Sequence, residues 1–90
     1  MNKGEFVREV AERTGTTVGT AEEFVYAAID IIQRELRDGN SVEFSGFGKF
    51  YVRTRAEREG RNPGTGEVIT IPETNVPVFK PGKLLKDAVM

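Results

Sequence analysis

The sequence contains no cysteine, no histidine and no tryptophan. Without cysteine there is no disulfide and no thiolate nucleophile, and without histidine the usual zinc ligand and the commonest general base are missing. Metal and redox chemistry, and an enzyme in general, fit poorly, and no cofactor or metal is expected. Long apolar runs are also absent: none approaches the roughly 20 residues that a spanning helix needs. Met1-Asn2-Lys3-Gly4-Glu5 opens directly into polar, helix-like sequence with no apolar leader. A cytoplasmic chain with no membrane partner and no small-molecule substrate is expected.

What remains is 90 residues, 38% hydrophobic and 30% charged, which describes one soluble globular domain. A chain this short buries only about 60% of its unfolded surface, so a partner subunit would supply much of the missing stability. The net charge of −1 conceals a segregation. Residues 1–48 hold five basic and nine acidic groups, whereas residues 49–90 hold eight basic and five acidic ones.

Asn2 followed by Glu5 has the form of a capping box, and Phe6, Val7, Val10 and Ala11 recur at helical spacing until Thr14-Gly15. Thr17 or Thr20 can cap a second helix, whose apolar face includes Phe24, Val25, Ala28, Ile32 and Leu36 and which Asp38-Gly39-Asn40 ends. The spacing predicts two antiparallel helices over residues 1–40. From Ser41 the period falls to two: Val42 and Phe44, then Phe50 and Val52, mark two strands joined by Ser45-Gly46-Phe47-Gly48. Val76 to Phe79 returns to the same sheet, so residues 41–52 and 76–81 form it, and residues 82–90 after Pro81 form a short helix. The class is α+β, in the order ααβββα.

Residues 53–75 hold few large apolar side chains and cannot build a core. Their alternation and the turn-rich Arg61-Asn62-Pro63-Gly64-Thr65-Gly66 predict a long protruding hairpin. Such ribbons are marginal alone, so this one has to serve something outside the fold. One of its faces is read as rich in guanidinium, with Arg53 and Arg55 sharing parity and Arg58 and Arg61 following toward the tip. Charges on an exposed edge also deter aggregation, and a turn proline is common. A rigid apolar ring at the apex of a cationic hairpin, however, suits a wedge driven between base steps.

Gly46-Phe47-Gly48-Lys49-Phe50, Gly60-Arg61-Asn62-Pro63-Gly64-Thr65-Gly66, Ile71-Pro72 and Val76-Pro77-Val78-Phe79-Lys80-Pro81-Gly82-Lys83-Leu84-Leu85-Lys86 together resemble the HU/IHF family of bacterial nucleoid proteins, over the whole chain. The resemblance implies an intertwined homodimer whose two arms wrap double-stranded DNA through the minor groove, bending and compacting it in the nucleoid. Pro63 would intercalate, Arg53, Arg55, Arg58, Arg61 and Asn62 would line the arm, and Lys80, Lys83 and Lys86 would meet phosphates, with Lys3 and the backbone near Gly46. Lys83 and Lys86 also fit a solvated helix end whose cations favour the dipole. Phe44, Phe47, Phe50 and Phe79, with Ile29, Ile32 and Leu36, are read as core and dimer interface.

Members of the HU type are typically basic, whereas this chain places Glu57 and Glu59 beside Arg58 in the arm. Two other readings stand beside the HU one: a sequence-preferring bender of the IHF type, and a homodimeric interaction module with weakened DNA binding.

Overall fold

The computed structural model describes every residue, Met1–Met90, and the chain forms two compact units, residues 1–34 and 35–90. Helix α1 is Lys3–Thr14 and helix α2 is Val18–Arg37, the latter about 30 Å long at 1.5 Å per residue. The Asn2 side chain accepts a hydrogen bond from the Glu5 amide at 2.9 Å, which satisfies one of the free donors of the first turn. Gly15, at φ +66°, turns left-handed and returns its amide to the carbonyls of Ala11 and Glu12. Of the two threonines able to cap α2, Thr17 does so, its hydroxyl accepting from the Thr20 amide at 3.2 Å. Lys3 at the start of α1 reaches Tyr26 in α2, so the two helices run antiparallel.

Val7, Ala11 and Ala21 are the buried apolar residues, with Val10 and Val25 packed against them. Ordering a backbone costs about 1–2 kcal/mol per residue, and burying one valine returns only about 1.5–3 kcal/mol. So small a core cannot hold the fold alone. Meanwhile Phe6, Phe24, Ile29 and Ile31 lie exposed, and Met1, Phe6, Val25, Ala28 and Ile29 line an apolar groove of about 510 Å³. Ile32 and Leu36 are half-buried.

In the second unit, β1 (Val42–Phe44), β2 (Gly48–Arg55) and β5 (Thr74–Pro81) form an antiparallel sheet in the order β1-β2-β5. A separate two-stranded ladder pairs β3 (Arg58–Arg61) with β4 (Val68–Ile71). The hairpin is therefore not one uninterrupted ribbon. The main sheet extends past the expected boundary to Arg55 and Thr74, and the ladder stops at Ala56-Glu57 and Pro72-Glu73 before resuming. Pro72 has no amide to donate, which accounts for a gap there. Register is preserved across it: Arg55 opposes Thr74 and Arg58 opposes Ile71, so neither strand gains a residue.

Helix α3 spans Lys83–Ala88. Its first-turn amides at Leu84 and Leu85 donate to the Gly46 carbonyl at 3.0 and 3.3 Å, and Gly82 donates to Phe47 at 2.8 Å. The turn and the helix are locked backbone to backbone. A Cβ on Gly82 would stand 2.5 Å from the Gly46 oxygen, and one on Gly48 would stand 2.5 Å from the Phe79 ring. Gly82→Ala should therefore cost about 1–3 kcal/mol and lower the melting temperature by roughly 5–20 °C. Gly19→Ala, whose Cβ meets nothing within 4 Å, should hold or raise it. Thermal unfolding by circular dichroism at fixed concentration compares the two.

Candidate nucleic-acid interface

Alternation along β2 divides the sheet into two faces. Phe50 and Val52, with their partners Val42, Phe79 and Pro77, form one. Lys49, Tyr51, Arg53 and Arg55, with Lys80, Val78, Val76 and Thr74, form the other. The first face gathers the aromatic rings: Phe50 to Phe79 at 4.7 Å, Phe79 to Phe47 at 5.6 Å and Phe47 to Phe44 at 6.4 Å between centroids. These phenylalanines, read from the sequence as core and dimer interface, are only partly covered within one chain: Phe44 and Phe47 are each 48% exposed and Phe79 37%. The sheet supplies only one side of a sandwich.

The opposite face carries the cations. Arg53 and Arg55 are exposed and share it, as their parity requires. Arg58 and Arg61 do not extend it together. Arg58 opposes Ile71, while Arg61, three residues on, opposes Val68, so the two guanidiniums leave opposite faces of the distal ladder. An odd spacing on a period of two always has this result. Glu59 shares the face of Arg61, and Gly60 leaves room for Ile71 to lie across the strand, its Cδ1 2.9 Å from where a Cβ would be. No ion pair joins an arm arginine to an arm glutamate, so the four guanidiniums are free to meet an external anion.

Asn62 builds the tip. Its side-chain oxygen accepts from the Gly64 amide at 2.9 Å, its carbonyl from Gly66 at 2.7 Å, and its own amide donates to Glu67 at 2.9 Å. This Asx turn, completed by Gly66 at φ +73°, spans Pro63 and holds the exposed ring outward. Asn62 is thus first a scaffold for the turn that carries Pro63, a part its position alone does not disclose.

Lys83 and Lys86 are exposed on α3, three residues apart and so on one face. Gly46, at φ +81°, has its carbonyl committed to α3. Lys3 belongs to the helical unit, where its ammonium donates to the Tyr26 hydroxyl and lies 4.8 Å from the ring centroid. That hydrogen bond, reinforced by the Coulomb attraction of Tyr26, raises the pKa of Lys3 above the ordinary lysine value. Sequence reading passed over Lys49, which faces the same way as Arg53 and stands directly opposite Lys80. Parity gives the first of these facts, but only register gives the second.

A family model described as bacterial DNA-binding protein matches residues 1–90. DNA-binding protein HU of Geobacillus stearothermophilus is 53% identical over 89 residues, covering 99% of both chains. Among solved structures, an Anabaena HU–DNA cocrystal structure superposes with a TM-score of 0.87 at 45% identity, over 99% of this chain and 97% of that one. The V42I mutant of HU from Thermotoga maritima gives 0.74 at 29% identity over the full length of both. The cation-lined hairpin and its proline tip are thus carried by a chain that belongs to the HU/IHF family of bacterial DNA-binding proteins.

Proposed function

We propose that two copies of this chain form a homodimer that binds double-stranded DNA with little sequence specificity, bending and compacting it in the bacterial nucleoid. The observation that carries this reading is the arm: a hairpin with no core, unpaired arginines along its length and a proline held at its apex by Asn62. Arginine suits phosphates and groove acceptors because its planar fork donates several hydrogen bonds while staying charged. Pro63 enters between base steps of the minor groove, where unstacking costs a few kcal/mol and the resulting kink brings more surface into contact. Arg53, Arg55, Arg58 and Arg61 line the arm, and Lys80, Lys83, Lys86 and Lys3 meet backbone phosphates together with the main chain near Gly46. No element here presents a recognition helix to the major groove, so shape and deformability select the site.

The second copy covers the phenylalanine face of the sheet and the groove that Ile29 lines, and the half-buried Ile32 and Leu36 are also assigned to the dimer interface. Binding and bending are the whole of the function, with no catalytic step, metal, cofactor or membrane involved. Nothing in the fold or the relatives favours the sequence-preferring or the DNA-free alternative.

Fluorescence anisotropy against salt tests the reading. Affinity should fall linearly on a log–log plot, by about 0.9 in slope for each phosphate neutralised, and a nicked duplex should bind more tightly than an intact one of the same sequence. No binding at low salt would overturn it. Glu57 and Glu59 sit in the arm with no cation to neutralise them. Replacing both with lysine should tighten binding at least tenfold at 0.1 M salt, since each exchange removes a repulsion and adds a contact worth about 0.9 in slope. Unchanged affinity would place that stretch of the arm away from DNA.

A further inference from the structure

We propose that Lys49 and Lys80 of one protomer together seat a single backbone phosphate of the bound duplex, an inference that rests on the DNA-binding reading above. The ladder between β2 and β5 sets the two lysines directly opposite each other. Like charges at such positions repel, and a pairing of this kind destabilises the free sheet. Neither ammonium has a partner within the chain that would relieve it. Glu43 opposes Lys49 from β1, yet the two form no ion pair. An anion between the lysines converts the repulsion into two attractions.

The surroundings suit an oxyanion. Lys49 and Lys80 line a cleft of about 220 Å³ with Glu43, Gly46, Gly48 and Pro81, several times the roughly 30 Å³ that a water occupies. The carbonyls that would repel a phosphate here are already engaged, that of Gly46 by the Leu84 and Leu85 amides and that of Phe47 by Gly82. Lysine is a compact point charge on a flexible stem, so two from neighbouring strands can converge on one phosphate without the fixed geometry that arginine imposes. Lys49 and Lys80 share a sheet face with Arg53 and Arg55, which continues the cationic track from the arm onto the body.

Anisotropy titrations of a long duplex across salt test the shared seat. In the dimer the double variant Lys49→Ala/Lys80→Ala loses two seats, so its log–log slope should become shallower by about 1.8 and its affinity should drop by roughly 60-fold at 0.1 M salt. Either single variant leaves one ammonium on the phosphate, so its slope should change by well under about 1.8, and the two losses should not sum as independent contacts would. Lys49→Arg should retain most of the affinity. Glu43→Gln, which removes a carboxylate from the rim, should tighten binding several-fold. The melting temperature of Lys49→Ala should hold or rise as the repulsion is relieved, which separates a lost contact from a damaged fold. An unchanged slope in the double variant, a slope change of about 3.6 there as two independent contacts would give, or no effect of Glu43→Gln would overturn the seat while leaving the arm's role intact. Absence of salt-dependent binding in the unsubstituted protein would overturn both.

Discussion

Replacing Arg58 and Arg61 together by alanine is expected to reduce duplex affinity by roughly 4,000-fold at 0.1 M salt, because a dimer loses four phosphate contacts worth about 0.9 in slope each. The two arginines leave opposite faces of the distal ladder, so on the proposed reading they would meet different phosphates and could not substitute for one another. Each single variant should therefore carry about half of the loss on a logarithmic scale. The fold should be unaffected, since both side chains are exposed and unpaired. Pro63→Ala provides the complement: it keeps every cation, so the salt slope should persist while the DNA bend, read by energy transfer between labelled duplex ends, should shrink. A slope that flattens in Pro63→Ala, or one that persists in the double arginine variant, would break this division of labour.

The second large effect concerns association. Phe47→Glu should abolish the dimer and, with it, most of the cooperative unfolding transition. Phe47 packs edge-on against Phe44 and tilted against Phe79 in a cluster left open on one side, and covering it with a second copy would bury a carboxylate twice per dimer. Burying an unpaired charge costs several kcal/mol after relaxation, comparable to the whole stability of a domain. Sedimentation should show a monomer, and the melting temperature of the unsubstituted protein should rise with concentration, as it must when folding and association are one event. A Phe47→Glu chain that melts cooperatively as a monomer would show that the small cluster of Val7, Ala11 and Ala21 suffices after all.

Most of the architecture was legible in the sequence because its signals are local. The Asn2 cap, the Gly15 stop and the change of period at Ser41 each follow from one or two side chains and the hydrogen bonds they can make. The interruption of the arm was not legible, although Pro72 marks it, because a missing donor shows only where a partner strand would have used it. Likewise the arginines were recognisable as a cationic set, yet their division between faces depends on counting Arg58 to Arg61 against the pleat. The phenylalanines stand out as an aromatic cluster, but sequence cannot separate burial within a chain from burial between chains. The Lys49–Lys80 juxtaposition lies furthest from reach, since 31 residues separate the two and only the register of β2 against β5 unites them.

The gap at Ala56-Glu57 and Pro72-Glu73 makes the arm a lever with a compliant joint. A bent duplex recoils like a spring, and that load concentrates where the ribbon is softest. On the proposed reading, with Pro63 as the wedge, one arm would withdraw while the other holds, and the protein would leave DNA by stages.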